Sequence, residues 1–254
     1  MSASIKRFIN DAVLQPDEIG ESPCEVHSFW RANELYFLKT SPAIYAGTTY
    51  SVLREAGVLQ WLSGKLKVPE VILTAQDEDR EYMITRAVPG VPLAELIGTK
   101  RPVSDLFLEA LRQVKSVAIA DCPFDSTAAV RLKELTFLLS QGLIDEDYDF
   151  DAWPGISTPQ ELLAHLHATA PQEDLVFSHG DLGDSNIFVT DNDELHFIDL
   201  GRGGKADRWL DIAFIHRNLR EEISARRAAE FLLQLNQPDQ PAKRVFFEQL
   251  DELF

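Results

Sequence analysis

The chain has 254 residues, 45% of them hydrophobic and 26% charged, enough to bury a sizeable core in one large domain or two lobes. Its 24 basic and 41 acidic residues give a formal charge of −17, a balance that repels nucleic acid and attracts polycations. No long apolar run marks a membrane span, the stretch MSASIKRFINDAVLQPDE has no apolar export core, and Cys24 and Cys122 are too few for a disulfide framework, so a cytoplasmic protein with no nucleic acid, membrane or obligate protein partner is expected.

In chain order, CEVHSFWRANELYFLKT predicts a hairpin across a four-residue RANE connection, and a helix follows from about Thr48. VPEVIL and EYMITRA, either side of a polar turn, predict another pair of strands ending at Ala87. The Pro and Gly cluster VPGVP reads as a linker and puts a boundary near residue 88, dividing a strand-rich part, 1–87, from a mainly helical part, 88–254. Helices are expected at 104–120, 131–141, 158–170, 206–222, 225–235 and 242–252, the third opened by the capping box TPQE. His165 and His167 alternate on that helix, face different ways and read as surface residues.

Residues 178 to 186, SHGDLGDSN, sit between a short apolar strand, LVFS, and a predicted hairpin, IFVTDNDELHFID. Counting back from an Asn192-Asp193 turn pairs Phe188 with Phe197, Ile187 with Ile198, and Asn186 with Asp199. An amide oxygen beside a carboxylate is hard-oxygen ligation suited to Mg²⁺, which prefers one or two protein ligands plus water and substrate phosphates. Asp181 lies five residues before Asn186, the spacing D-x-x-x-x-N. In phosphoryl transfer the first Asp orients the attacking hydroxyl and accepts its proton, while Asn186 and Asp199 would hold the magnesium.

The same chemistry needs a strand lysine for the phosphates and an acid on a helix to hold it. Lys39 ends LYFLK, on the face of Leu35 and Phe37. On TTYSVLREAGVLQWL, Glu55 falls on the apolar stripe of Val52, Ala56, Leu59 and Leu62, where an unpartnered carboxylate would be costly. Lys39 is its expected partner.

HGDLGDSN with FIDLG, the Lys39 and Glu55 pair, GRGGKADRWLDIAF, GESP, GTTY, DCPFD and the terminal LDELF together resemble the aminoglycoside 3′-phosphotransferases, most of all their type III branch, over most of the chain. The motif HGDxxxxN alone also fits choline, homoserine and methylthioribose kinases. A small-metabolite kinase and a nucleotide-binding pseudokinase therefore stay open, although ADRWLDIA and the acidic C-terminus favour the antibiotic branch. The resemblance implies an α+β, two-lobed, protein-kinase-like fold. Its N-lobe would be a small antiparallel sheet with one helix, and its C-lobe larger and mainly helical. It implies transfer of phosphate from ATP, with GTP left open, to the 3′-hydroxyl of an aminoglycoside antibiotic.

By that resemblance Asp181 is the base, Asn186 and Asp199 are the Mg²⁺ ligands, and Lys39 and Glu55 the phosphate lysine and its partner. Ser22 matches the nucleotide-loop serine, in a loop with one glycine, Gly20. Phe37 stands where an aromatic ring, usually Tyr, stacks on adenine. Residues 85 to 87, with Thr85 and Ala87 at the ends, match the linker along the adenine edge. Drug contacts fall on Asp184, Arg217, Glu221, Asp251, Glu252 and Phe254, with Asp149 and Asp151 as further acidic candidates, and Arg202 supports the catalytic loop. Asp211 is read instead as a tie between its helix and that loop. The segment VKSVAIADC and the acidic stretch near 149 depart from the family pattern where substrate range could change.

Overall fold

The computed structural model describes residues 1–17, 22–144, 150 and 153–254. In chain order the elements begin α1 (Ala3–Ile9), β1 (Gln15–Asp17), β2 (Glu25–Arg31), β3 (Glu34–Pro42), α2 (Val52–Leu62), β4 (Val71–Gln76), β5 (Arg80–Arg86) and β6 (Val91–Pro92). There follow α3 (Val103–Lys115), α4 (Ala128–Ser140), α5 (Pro159–Thr169), β7 (Leu175–Ser178), β8 (Ile187–Val189), β9 (Leu195–Phe197), β10 (Gly204–Asp207), α6 (Trp209–Asn218), α7 (Ala225–Gln234) and α8 (Pro241–Asp251). The chain divides into two compact units, residues 1–95 with 184–203, and residues 96–183 with 204–254.

The first unit is built on a five-stranded antiparallel sheet in the order β1-β2-β3-β5-β4. Alternation along β3 sends Tyr36 and Leu38 into a core with Phe29, Tyr82 and Ile84. Ile5 and Ile9, four residues apart on one face of α1, close that core, so α1 adds a second helix to the one expected here. The opposite face of β3 carries Leu35, Phe37 and Lys39, all half-buried. The β2–β3 connection is two residues, not four: Arg31 pairs with Glu34, and Ala32 and Asn33 both have positive φ, 51° and 65°, as a tight hairpin turn matching strand twist requires. α2 starts at Val52 rather than Thr48, because residues 48 to 51 make turns and the Ser51 hydroxyl caps the helix by accepting the Arg54 N–H at 3.1 Å. VPGVP is more than a linker, since Val91 and Pro92 pair with Val189 and Phe188 in a small sheet ordered β6-β8-β9.

The hairpin after the HGDLGDSN loop has a different register from the one expected. Ile187 pairs with Phe197, Phe188 with His196 and Val189 with Leu195, one residue off the expected pairing. The cause is the turn. Thr190 donates its N–H to Glu194 at 3.0 Å and accepts the Asp193 N–H at 3.1 Å, with Asp193 left-handed at φ 62°, so three residues close the loop instead of two. Asn186 therefore lies opposite Ile198, whose N–H it accepts at 3.1 Å, and Asp199 follows one position on.

The second unit is mainly helical. Its hub is α6, buried continuously from Trp209 to Ile215 and packed on α8, α7 and α3. The helix expected from 206 begins at Trp209, because residues 204 to 207 pair with β7 and Asp207 then accepts the Trp209 N–H at 2.8 Å. It ends at Asn218, and a π-helical turn, Leu219–Ile223, follows, closed by the Ser224 N–H on the Leu219 carbonyl at 2.8 Å. α3 stops at Lys115, five residues before its expected end, as the Ser116 hydroxyl turns back to the Gln113 carbonyl at 2.7 Å. On α5, Thr158 accepts the Glu161 N–H at 3.2 Å while the Glu161 carboxylate takes the Ser157 N–H, and His165 and His167 are exposed. Among the described residues no helix is long and apolar enough to cross a membrane.

Candidate active site

β3 and α2 bring Lys39 and Glu55 together, as their patterning predicted. The Lys39 ammonium lies 2.9 Å from Glu55 Oε2 and 2.8 Å from Asp199 Oδ1. Glu55 is 4% exposed and also accepts the Leu200 N–H, whereas the Asp199 side chain is 49% exposed. Burial works against the Lys39 charge, but Asp199 and Glu55 outweigh it and hold the ammonium well above its ordinary value. Burial pushes the Glu55 carboxyl up, with Lys39 pulling against it. Asp199 is left-handed, φ 55° and ψ 51°, which turns its carboxylate outward between half-buried Ile198 and fully buried Leu200.

Asn186 is 7% exposed at the head of β8. Its amide and the Asp199 carboxylate offer hard oxygens, and among the described residues no cluster of three or more His, Cys, Asp or Glu could hold a metal by protein ligands alone. An amide oxygen and a carboxylate would suit Mg²⁺, which fills most of its shell from water and substrate phosphates. The free thiol of Cys24 borders the same corner. Burial pushes it up against the pull of Lys39, and it donates to the Tyr50 carbonyl at 3.3 Å.

Phe37 stands on the face of Lys39, opposite Thr85 on β5 and Ser28 on β2. Ser22 is exposed, its hydroxyl accepting the Cys24 N–H at 3.2 Å, while Gly20 lies outside the described residues. The Ala87 N–H is donated to the Leu35 carbonyl at 3.0 Å, so an adenine edge using that donor would have to displace a sheet hydrogen bond. Arg202 reaches the Tyr50 hydroxyl at 3.5 Å and lies over its ring, 5.7 Å from the centroid. Asp184 is half-buried, its carbonyl accepting the Ala94 N–H at 3.2 Å.

In the second unit the loop after β7 is held from two sides. Asp211, 1% exposed on α6, accepts the His179 N–H at 2.9 Å and the Gly180 N–H at 3.0 Å, the tie expected of it. Gly180 adopts φ 87°, a conformation costly for any residue with a Cβ, and turns the chain from fully buried His179 to half-buried Asp181. Its carbonyl accepts from Arg131 Nη2 at 3.0 Å. Sequence reading passed over Arg131, yet the signal was present: it lies on the α4 stripe of Ala128, Leu132, Leu135 and Leu138, a charge among apolar residues like Glu55. The Arg131 guanidinium also lies 5.6 Å from the centroid of the Phe254 ring, so one side chain touches both the loop and the chain end.

Four of the predicted acceptor-binding residues share one neighbourhood. Arg217 Nη2 donates to Asp251 Oδ2 at 2.5 Å, and burial works against the Arg217 charge while Asp251, Glu221 and Glu252 favour it. Burial pushes the Glu252 carboxyl up; Arg217 pulls it back, and Asp251 and Glu221 add to the rise. Glu221 sits in the π turn after α6, exposed and paired with Arg220 at 2.9 Å. Phe254 closes the chain with its N–H on the Asp251 carbonyl at 3.0 Å. Asp149 and Asp151 lie outside the described residues.

An antiparallel-sheet unit with a lysine held by a helix glutamate, followed by a mainly helical unit, defines a protein-kinase-like phosphotransferase. The phosphotransferase enzyme family matches residues 27–246. An aminoglycoside 3′-phosphotransferase of Acinetobacter baumannii is 47% identical over 98% of this chain and 97% of its own, and one of Enterococcus faecalis 38% identical over 100% and 98%. The crystal structure of a type VIII aminoglycoside-3′-phosphotransferase, 28% identical, matches 99% of this chain and 97% of its own with a TM-score of 0.85. The chain belongs to the phosphotransferase enzyme family.

Proposed function

We propose that this chain transfers the γ-phosphoryl group of ATP to the 3′-hydroxyl of an aminoglycoside of the kanamycin and neomycin class, conferring resistance. The observation that carries the reading is the Lys39 ammonium held between Glu55 and Asp199, an arrangement that keeps a cation fixed and charged for a polyphosphate. The 47% identity to an aminoglycoside 3′-phosphotransferase supports the choice of acceptor, as does the surplus of carboxylates around Arg217, which suits a sugar bearing several ammonium groups.

In this reading Asp181 takes the proton of the 3′-hydroxyl as its oxygen bonds to the γ-phosphorus, the bond from that phosphorus to the β-bridging oxygen breaks, and ADP leaves. Lys39 contacts the α and β phosphates and Glu55 orients it. Asn186 and Asp199 would hold Mg²⁺, which neutralises charge on the phosphates. Ser22, Phe37 and residues 85 to 87 line the nucleotide, with GTP as the alternative to ATP. Asp184, Glu221, Asp251, Glu252 and Phe254 meet the ammonium groups and rings of the acceptor. Arg217 belongs to the same acceptor-binding set and pairs with Asp251, and Arg202 supports the loop. The reading includes a cytoplasmic location, where nucleoside triphosphates are supplied.

ADP release measured with kanamycin, with choline and with neither tests the proposal. Turnover with kanamycin alone is expected; turnover with choline alone would make the chain a metabolite kinase, and none with either a nucleotide-binding module. Asp181→Ala is expected to lower turnover by roughly 10²–10⁴-fold while nucleotide binding persists, and near-normal rates would exclude Asp181 as the base.

A further inference from the structure

Two adjacent residues of α2 reach the turn that follows Asp199. Glu55 accepts the Leu200 N–H. Arg54, one position earlier, donates from Nη1 to the Gly201 carbonyl and from Nη2 to the Gly203 carbonyl, the latter at 3.0 Å. The turn lies tight against the start of the helix: a Cβ on Gly201 would come within 2.7 Å of the Thr49 carbonyl oxygen. The turn closes on itself through the Gly203 N–H and the Leu200 carbonyl at 2.9 Å.

Asp199 stands at the head of this turn in a left-handed conformation that strains a non-glycine residue, aspartate less than most, and that a constraint on the turn helps to keep. A guanidinium spanning two carbonyls of residues 201 and 203 is such a constraint, because its planar fork fixes direction as well as distance. We infer that Arg54 is a positioning residue for Asp199: it clamps the 200–203 turn to α2 and so fixes where the Asp199 carboxylate points toward a nucleotide-bound Mg²⁺. The inference rests on the proposed role of Asp199 as a Mg²⁺ ligand. It makes α2 the common support of the phosphate lysine, through Glu55, and of the metal carboxylate, through Arg54.

The test is calorimetric binding of ADP to the full chain, with Mg²⁺ and with EDTA, for the wild type, Asp199→Asn, Arg54→Met and Arg54→Lys, together with thermal midpoints. Arg54→Met is expected to lose roughly tenfold or more of the affinity gained from Mg²⁺, the usual penalty for removing a support behind a metal ligand, with metal-free affinity changed less than about twofold. Arg54→Lys is expected to lose a similar factor, since one ammonium cannot bridge both carbonyls as the fork does, and it carries the test if the methionine variant does not fold. An intact Mg²⁺-dependent gain in both Arg54 variants, or equal losses with and without Mg²⁺ that track a lower thermal midpoint, would overturn the inference. If Asp199→Asn itself keeps the full gain, the metal role of Asp199 fails and the inference falls with it; a loss in Asp199→Asn without one in the Arg54 variants refutes the clamp alone.

Discussion

Lys39 and Lys115 lie one in each unit, both partly buried, and burial opposes the charge of each, yet they shift in opposite directions. Lys39 has Asp199 and Glu55 within 2.9 Å and is held well above its ordinary value. Lys115, the last residue of α3, is lowered to about 8: burial wins, although Asp211 lies near enough to oppose it. That aspartate is committed to the His179 and Gly180 N–H groups, and Asp207, which also favours the Lys115 charge, to Lys243 and the Trp209 N–H. Among the described residues no carboxylate forms an ion pair with Lys115. The comparison teaches that burial does not decide a charge by itself; what decides is whether a nearby carboxylate is aimed at it. Arg217 extends the lesson in the reverse sense, one cation facing three acids.

Removing an aimed carboxylate should break the comparison most. Glu55→Gln leaves Lys39 with Asp199 alone and deprives the Leu200 N–H of a charged acceptor. We expect a loss of about 3 kcal/mol in chemical denaturation and a more than tenfold fall in turnover. A variant as stable and active as the wild type would show that Asp199 suffices for the lysine.

A smaller effect is expected at Asp251. Asp251→Asn weakens the contact at 2.5 Å with Arg217 and reduces the acidic surplus. The aminoglycoside KM should rise about tenfold, equivalent to about 1.4 kcal/mol, with kcat nearly unchanged, in steady-state kinetics. A KM that does not move would take the acceptor away from this cluster.

Lys115→Met sharpens the contrast at the smallest scale. Between the folded value of about 8 and the unfolded 10.5 the unfolded chain holds the extra proton, so this lysine makes stability rise with pH across that window and imposes a constant penalty below it. The substitution should stabilise the protein at pH 7 by on the order of 1 kcal/mol, discounted for partial exposure, and flatten that rise. Thermal midpoints from pH 7 to 10 for both proteins check it, and parallel curves would mean that Lys115 keeps an ordinary value.

Much of the corner formed by Lys39, Glu55 and Asp199 was legible because each of its members breaks a pattern. Glu55 interrupts an apolar stripe, Lys39 ends an alternating strand, and Asp199 sits between Ile198 and Leu200. Arg131 broke the same kind of pattern on α4 and could have been read from it. Arg54 could not: an arginine in the first turn of a helix opposes the helix dipole only weakly and says nothing of a partner, and its partners at Gly201 and Gly203 are 147 and 149 residues away. The hairpin register was misjudged for a local reason: a tight two-residue turn needs positive φ at both Asn192 and Asp193, whereas of the two only Asp193 has it here. α1 and β1 were unforeseen because their few apolar residues gain meaning only against the β2, β3 and β5 face.

Period and spacing, which are properties of neighbouring residues along a chain, were enough to specify the sheet-then-helix order, the HGD loop, the paired Lys39 and Glu55 and the family resemblance. Tertiary structure decided the direction in which each charge is aimed: that Lys39 has two carboxylates and Lys115, among the described residues, none in contact, that Asp211 spends its oxygens on the loop backbone, and that a left-handed Asp199 is steadied by α2. Those outcomes turn on distances of a few ångströms between segments far apart in the chain, where electrostatic energy changes steeply with separation and solvent exposure, and no local pattern encodes them.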